Sequence, residues 1–416
     1  MDSIQIKGGR TLTGETRIQG SKNATLPILA STILIPGISV ITHCPRISDV
    51  ETMVRLLSSI GCSIEWNADE LVIDATDVRE YRLPREDVVR MRSSIMLMGA
   101  MLGRMGETAL DYPGGCVIGK RPIDLHLMAL RRLGAVVEET EQKIHAKASR
   151  LIGTAVRLPI NSVGATENCI LGAVLAEGVT ILSNAAMEPE ITALCEFLQS
   201  AGASIEGAGT SQITILGVPQ LHSTVYEIPG DRIVAGTYLF AGVICGGKIT
   251  LRDIPVSHMS ATIRTARRLH GDVRITGNIM EIERRGKIEG IPLIRTGNYP
   301  GFPTDMQSAL MVACAVASGK SVIEETIFEN RYRIARELCR MGAAIEIQDG
   351  KAYIDGDASL HGTQVIAEEL RGGAALVLAG LAADQVTNVM NRHFIERGYE
   401  NICKDLRELG ADISYR

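Results

Sequence analysis

Aromatic side chains are scarce: 5 Phe, 9 Tyr and 1 Trp in 416 residues. The core must be built from Ala, Val, Ile, Leu and Met, with 42 glycines allowing close approach. Strong net charge is also missing. A balance of −5 gives no pull toward nucleic acid or an anionic membrane, so neither is expected as a partner. No CxxC pair occurs, and the nine cysteines are an odd number, which argues against a disulfide framework or a zinc site. Apolar runs such as "ALMVACAVASG" fall short of the roughly 18 residues of a membrane span. The opening "MDSIQIKGGR" lacks the apolar core of a signal peptide. These absences describe a reduced, soluble, cytoplasmic protein long enough for two domains.

What is present is a repeat. Six segments read as an amphipathic helix ending in Gly followed by a short strand: "LLSSIGCSIEW", "LRRLGAVVEE", "LQSAGASIEG", "RRLHGDVRIT", "LCRMGAAIEI" and "LRELGADISY". Their glycines are Gly61, Gly134, Gly202, Gly271, Gly342 and Gly410, each where a helix end favours a left-handed residue. Upstream of each lies a helix apolar nearly all round, such as "DRIVAGTYLFAGVI" or "LRGGAALVLAGLA", which must be buried on every side. A β-rich run follows each buried helix. Units of about 70 residues are too long for an ordinary solenoid. The expected fold is α/β: two inside-out globules, each of three pseudo-symmetric units with buried helices and outer strands. The first spans 21–229. The second joins 1–20, with two strand-like stretches, to 230–416.

Polar residues recur at the starts of the six buried helices: Lys22 with Asn23, Arg92, Ser162 with Gly164, Asp231 with Arg232, Thr304 with Asp305, and Arg371. Helix N-termini favour anions. Six such ends with cations added suit a doubly anionic ligand, of phosphates and carboxylates. Asp231 reads equally well as an ordinary N-cap. For Lys22, Arg92 and Arg371 capping is no explanation, because a cation opposes the dipole there. A second set follows the strands: "FENR", "ERGYE" and the loop "YPGGCVIGKRP", where glycines hold Cys116 out of any local core.

The segments "GSKNATLPIL", "YPGGCVIGKRPIDLH", "SVGATEN", "NAAMEPEI", "FPTDMQ", "FENRY" and "ERGYE" occur in order and at matching spacing. Together they resemble the enolpyruvyl transferases that act on UDP-N-acetylglucosamine, from about residue 3 to the C-terminus. The resemblance implies two inside-out globules with the active site in the cleft between them. It also implies transfer of the enolpyruvyl group of phosphoenolpyruvate to the sugar 3′-hydroxyl through a tetrahedral ketal, at the entry to peptidoglycan synthesis. No metal or organic cofactor is implied. By the same resemblance Cys116 is a proton donor able to bond covalently to substrate, its thiol lowered by cations such as Lys120 and Arg121. Asp305 is the general base. Lys22, Arg121 and Arg397 face the phosphate, and Arg371 faces the carboxylate. Asn23 and Arg92 face the sugar nucleotide or the reacting centre, with Asp231 and Thr304 at the same helix ends. Pro122, Ile123, Asp124 and Leu125, then Ser162, Val163 and Gly164, and finally Ile327 and Phe328 line the nucleotide pocket. Phe328 also reads as plain core.

Three places depart from the family pattern. Glu369-Leu370 stands where Asp-Leu is usual, and Phe394-Ile395-Glu396 where His-Ile/Leu-Asp is usual. His270-Gly271-Asp272 replaces the commoner Gly-Ala pairing. A divergent paralogue of altered preference or turnover, a shikimate-type enolpyruvyl transferase and a binding scaffold without turnover are the alternatives. The Cys116 loop and "FPTDMQ" argue against the second. The retained Lys22, Cys116, Asp305 and Arg397 argue against the third.

Overall fold

The computed structural model describes residues 2–114, 118–119, 121–284 and 286–416. The chain divides into two compact units, one of residues 20–114 and 121–229, the other of 2–19, 118–119 and 230–416. Each has its own aliphatic core. Among the described residues no helix is long and apolar enough to cross a membrane.

The six apolar helices are Lys22–Ser31, Leu97–Met105, Val163–Ala173, Arg232–Cys245, Gln307–Val316 and Leu370–Ala382. Arg232–Cys245 is buried from Ile233 to Ile244, and Leu370–Ala382 from Leu370 to Leu381. Small residues let these helices press together. A side chain at Gly99 would lie 2.4 Å from the Asn168 carbonyl. The Asn168 side chain bridges the same crossing, accepting from Gly99 N–H at 2.7 Å and donating to the Ile95 carbonyl at 2.9 Å.

Among the described residues six small sheets surround the helices, four of them of one design. In the first, Ile38–Thr42 runs antiparallel to Glu70–Asp74, which pairs with Ser63–Asn67. A strand from a neighbouring repeat, Thr224–Glu227, adds in parallel. The same pattern recurs around Val179–Ser183, Gly247–Arg252 and Lys320–Glu324. The last sheet is built differently. Its hairpin partner is the first strand of the chain, Ser3–Lys7, seated between Val386–Met390 and Asp412–Tyr415. The second strand, Leu12–Arg17, closes the sheet of Gly247–Arg252. Both therefore belong with residues 230–416.

One expectation about the repeats fails. Gly61, Gly134, Gly202, Gly342 and Gly410 are left-handed, with φ between +91° and +114°. Gly271 is not; the left-handed residue of that unit is His270, at φ +64°. The sequence Leu-His-Gly shifts the turn one place earlier, so His270 occupies the position of the other glycines. Gly271 stands where they have Ala or Cys, and a Cβ on it would sit 2.8 Å from Val243 Cγ2. A side chain at left-handed φ costs roughly 1–2 kcal/mol, part of which glycine returns as unfolded-chain entropy. His270→Gly is therefore expected to raise stability by about 0.5–1 kcal/mol in chemical denaturation. A lowered midpoint would mean that the exposed His270–Glu289 contact at 3.1 Å outweighs the backbone strain.

Candidate active site

In the unit containing 230–416, the starts of the inner helices carry a compact charged network. Thr304–Met306 forms a single turn ahead of Gln307–Val316 and presents Asp305. Arg371 is the second residue of Leu370–Ala382. Its Nε and Nη2 donate to Asp305 Oδ2 at 3.1 and 2.8 Å. Arg331 donates from Nη2 to Asp305 Oδ1 at 2.6 Å and from Nε to the Thr304 carbonyl at 3.3 Å. Burial alone would raise the Asp305 pKa. The Arg371 and Arg331 guanidiniums outweigh it and hold the carboxyl well below the usual range. Arg371 is 5% exposed, and among the described residues its buried Nη1 has no hydrogen-bond partner. A buried guanidinium N–H of this kind is suited to an anionic acceptor.

Glu369 resolves one departure from the family pattern. It is the N-cap of Leu370–Ala382, accepting from Arg371 N–H at 2.8 Å and from Gly372 N–H. A glutamate is uncommon in this role, but an extended backbone, φ −158° and ψ 167°, lets the longer side chain fold back onto the helix. Asp231 meets the capping reading: its Oδ1 accepts from Ile233 N–H at 2.7 Å and Val234 N–H at 3.0 Å. Thr304 Oγ1 donates to Glu325 Oε2 at 2.9 Å. Glu325 Oε1 accepts from Ile327 and Phe328 N–H at 2.8 and 3.2 Å, which fixes that bend. Phe328 is half-buried, not core, and the Arg331 guanidinium lies 5.8 Å from its ring centre. Arg397 closes the turn Arg392–Arg397 and is half-buried.

In the unit containing 20–114, Lys22 opens Lys22–Ser31 behind the cap Ser21. Its Nζ lies 2.7 Å from Asp49 Oδ2, with the side chains 10% and 7% exposed. Asp49 sits in the first turn of Ser48–Ser59. Asn23 donates to Glu190 Oε1 at 3.4 Å. Glu190 and Glu188 also surround the buried Glu167; burial first, then these two charges, raise its pKa well above the ordinary value. Arg92 holds both ends of the glycine-rich loop, donating to the Pro113 carbonyl at 3.4 Å and to the Arg121 carbonyl. Arg121 is left-handed at φ +44°. Pro122 and Asp124 are exposed, Leu125 is half-buried and Ile123 is buried, with Asp124 opening Asp124–Arg132. Ser162 caps Val163–Ala173 by accepting from Ala165 N–H at 3.4 Å, so Val163 and Gly164 form its first turn. Buried His126 packs against Gly164, and Asn168 donates to its Nδ1 at 3.1 Å. Burial, then the Arg92 and Arg121 charges, lower His126 to about 3, so its ring is neutral. Cys116 and Lys120 lie outside the described residues.

Several residues in these networks carried no assignment from sequence. Arg331 stood inside the quoted "FENR" stretch, but nothing in its spacing linked it to Asp305, 26 positions earlier. Asp49 and Glu190 answer Lys22 and Asn23 from the following repeat element and from a distant one. Among the described residues no group of His, Cys, Asp and Glu is placed to hold a metal ion. Burial raises Cys62, Cys169, Cys195, Cys245, Cys314 and Cys403 to about 12, so these thiols stay protonated at neutral pH.

Comparison with known proteins places the chain. Residues 6–406 match the family model of EPSP synthase (3-phosphoshikimate 1-carboxyvinyltransferase). The chain is 44% identical to the UDP-N-acetylglucosamine 1-carboxyvinyltransferase 2 of Caldanaerobacter subterraneus subsp. tengcongensis, over 99% of both chains. It is 42% identical to the UDP-N-acetylglucosamine 1-carboxyvinyltransferase of Geobacter metallireducens, also over 99% of both. Among solved structures, the enolpyruvyl transferase NikO from Streptomyces tendae superposes with a TM-score of 0.90 at 25% identity, covering 99% of this chain and 98% of that one. EPSP synthase from Acinetobacter baumannii shares the fold, with a TM-score of 0.74 at 18% identity over the full length of both. The fold is thus that of an enzyme family, and this chain belongs to the UDP-N-acetylglucosamine 1-carboxyvinyltransferases, a family of enolpyruvyl transferases.

Proposed function

We propose that this protein transfers the enolpyruvyl group of phosphoenolpyruvate to the 3′-hydroxyl of UDP-N-acetylglucosamine, releasing phosphate, as the first committed step of peptidoglycan synthesis. The observation that carries the reading is the 44% identity along the whole chain to a relative named for this acceptor. The reaction runs by addition and elimination. The hydroxyl oxygen bonds to carbon 2 of phosphoenolpyruvate while carbon 3 takes a proton. Carbon 3 then gives up a proton, and phosphate leaves with its bonding pair, restoring the double bond.

The reading draws on residues of both globules, 21–229 and 1–20 with 230–416. Lys22, Arg121 and Arg397 face the phosphate. Arg371, whose buried Nη1 has no partner among the described residues, takes the carboxylate. Asp305 receives the hydroxyl proton, and Cys116 delivers the proton to carbon 3. Held by two guanidiniums, Asp305 is a poor base. A substrate carboxylate competing for Arg371 draws one of them away and raises its basicity as substrate binds. The nucleotide lies along 122–125 and 162–164, with Asn23, Arg92, Asp231, Thr304, Ile327 and Phe328 around the acceptor. The same reading places the protein in the cytoplasm, with water-soluble substrates and reduced thiols.

Incubation with phosphoenolpyruvate and either UDP-N-acetylglucosamine or shikimate 3-phosphate tests the acceptor. Phosphate release with the nucleotide sugar is the expected result, and release with shikimate 3-phosphate alone would overturn it. Cys116→Asp, which offers a carboxylic acid in place of the thiol, is expected to stay within about tenfold of the parent rate if the residue acts as a proton donor. A loss on the order of 1,000-fold would assign it a nucleophilic role instead.

A further inference from the structure

The turn that presents Arg397 is held at both ends by the first nineteen residues of the chain. At its start, Asn391 takes the left-handed conformation at φ +60°, which reverses the chain into the turn. The Asp2 carbonyl accepts from Asn391 N–H at 2.9 Å and from Arg392 N–H at 3.4 Å. This follows from the sheet register, in which Ser3 pairs with Met390. The Asp2 carboxylate continues the contact, 2.6 Å from His393 Nδ1 and 3.1 Å from Arg392 Nε. Arg392 also lies 3.3 Å from Glu396 and rests on the Tyr415 ring. At the other end Gln19, which is 8% exposed, spans the residues after Arg397. Its Nε2 donates to the Gly398 carbonyl at 3.2 Å, and its Oε1 accepts from Glu400 N–H at 2.8 Å.

We propose that Gln19 and Asp2 are positioning residues for phosphoenolpyruvate binding, acting through Arg397. The inference rests on the reading of Arg397 as a phosphate contact. Arg397 sits on a short turn with no regular helix or sheet of its own, so its reach depends on what fixes the turn. Gln19 supplies the main restraint because it is buried and engages two backbone groups at once, the Gly398 carbonyl and the Glu400 N–H. Asp2 supplies the lesser one, since its carboxylate is largely solvated. His393 directly, and Glu396 through Arg392, two features of this chain's unusual "HFIER" stretch, are thereby linked to Asp2.

Steady-state kinetics of the full-length protein test the proposal. Gln19→Ala is expected to lower kcat/KM for phosphoenolpyruvate about tenfold, the scale of a sub-ångström misplacement, and to leave KM for UDP-N-acetylglucosamine unchanged. Asp2→Asn should give the same split at about threefold, and Asp2→Glu should restore it. Placed in an Arg397→Lys background, Gln19→Ala should add less than twofold, because both changes disable one contact. Equal losses for both substrates, or a full tenfold loss retained with Arg397→Lys, would reduce Gln19 to a structural role and overturn the proposal. If Arg397→Lys alone leaves phosphoenolpyruvate kinetics intact, the reading of Arg397 fails instead, and the inference with it. Should Gln19→Ala not fold, Asp2→Asn and Asp2→Glu carry the same decision.

Discussion

Asp305→Asn is expected to lower kcat by about 10²–10⁴, the usual contribution of a positioned acid or base, with UDP-N-acetylglucosamine still bound. Asparagine keeps the shape and one oxygen facing Arg331 and Arg371 but removes the charge and the basicity. Asp305→Ala is a poorer test. Arg331 and Arg371 are 2% and 5% exposed, and without the carboxylate they lose their closest counter-charge, leaving Glu369 3.9 Å from Arg331 Nη1. Removing one partner of such a network costs about 3 kcal/mol, so alanine is expected to destabilise as well as inactivate. The pH dependence follows from the same geometry. A carboxyl whose folded pKa is depressed stabilises the fold at every pH above its unfolded value near 4. That contribution is lost only as pH falls below 4 toward the depressed value. Arg331→Gln weakens the depression, so the acid limb of kcat/KM should move to higher pH. An unchanged acid limb would show that Asp305 is not the group titrating there.

Lys22→Ala combines two large effects that a second substitution separates. The Lys22–Asp49 pair is nearly dry, and losing the cation removes the close counter-charge of Asp49. A stability loss of about 3–5 kcal/mol is expected, together with a fall of about 10²–10³ in kcat/KM for phosphoenolpyruvate from the lost phosphate contact. The double variant Lys22→Met with Asp49→Leu replaces the pair by apolar groups of similar size and should regain most of the stability. Turnover should not return. Denaturation midpoints and kinetics on the single and double variants measure both. If the double variant recovers its rate, Lys22 was needed only to neutralise Asp49.

Much of the architecture was legible because it rests on local rules repeated six times. Apolar helices flanked by outer helices ending in Gly are readable from composition and period, and so are charged residues at helix starts. The exceptions have specific causes. The fourth outer helix turns on His270 because the turn position is set by where the helix runs out of partners, not by the nearest glycine. Glu369 looked like a misplaced carboxylate, yet one more methylene and an extended backbone let it cap the same helix. The engagement of Lys22 by Asp49, Asn23 by Glu190 and Asp305 by Arg331 joins residues on different elements. No periodicity encodes such pairs. Cys116, the most conspicuous residue of the sequence, lies outside the described residues, and its role rests on its motif alone.

The seating of Ser3–Lys7 inside the last sheet has a consequence for biosynthesis. Gln5 contacts Asn388 across a sequence separation of 383. The first strand to leave the ribosome therefore waits for nearly the whole chain before it finds its neighbours. The strands of residues 20–114 and 121–229 pair only with one another and can form their sheets while the rest is still being made. The other globule cannot close until the C-terminal strand Asp412–Tyr415 arrives, a long-range pairing of the kind that folds slowly. A nascent chain stalled short of residue 386 would expose a β-edge at its amino terminus, which makes the newest and the oldest parts of the polypeptide jointly responsible for its escape from aggregation.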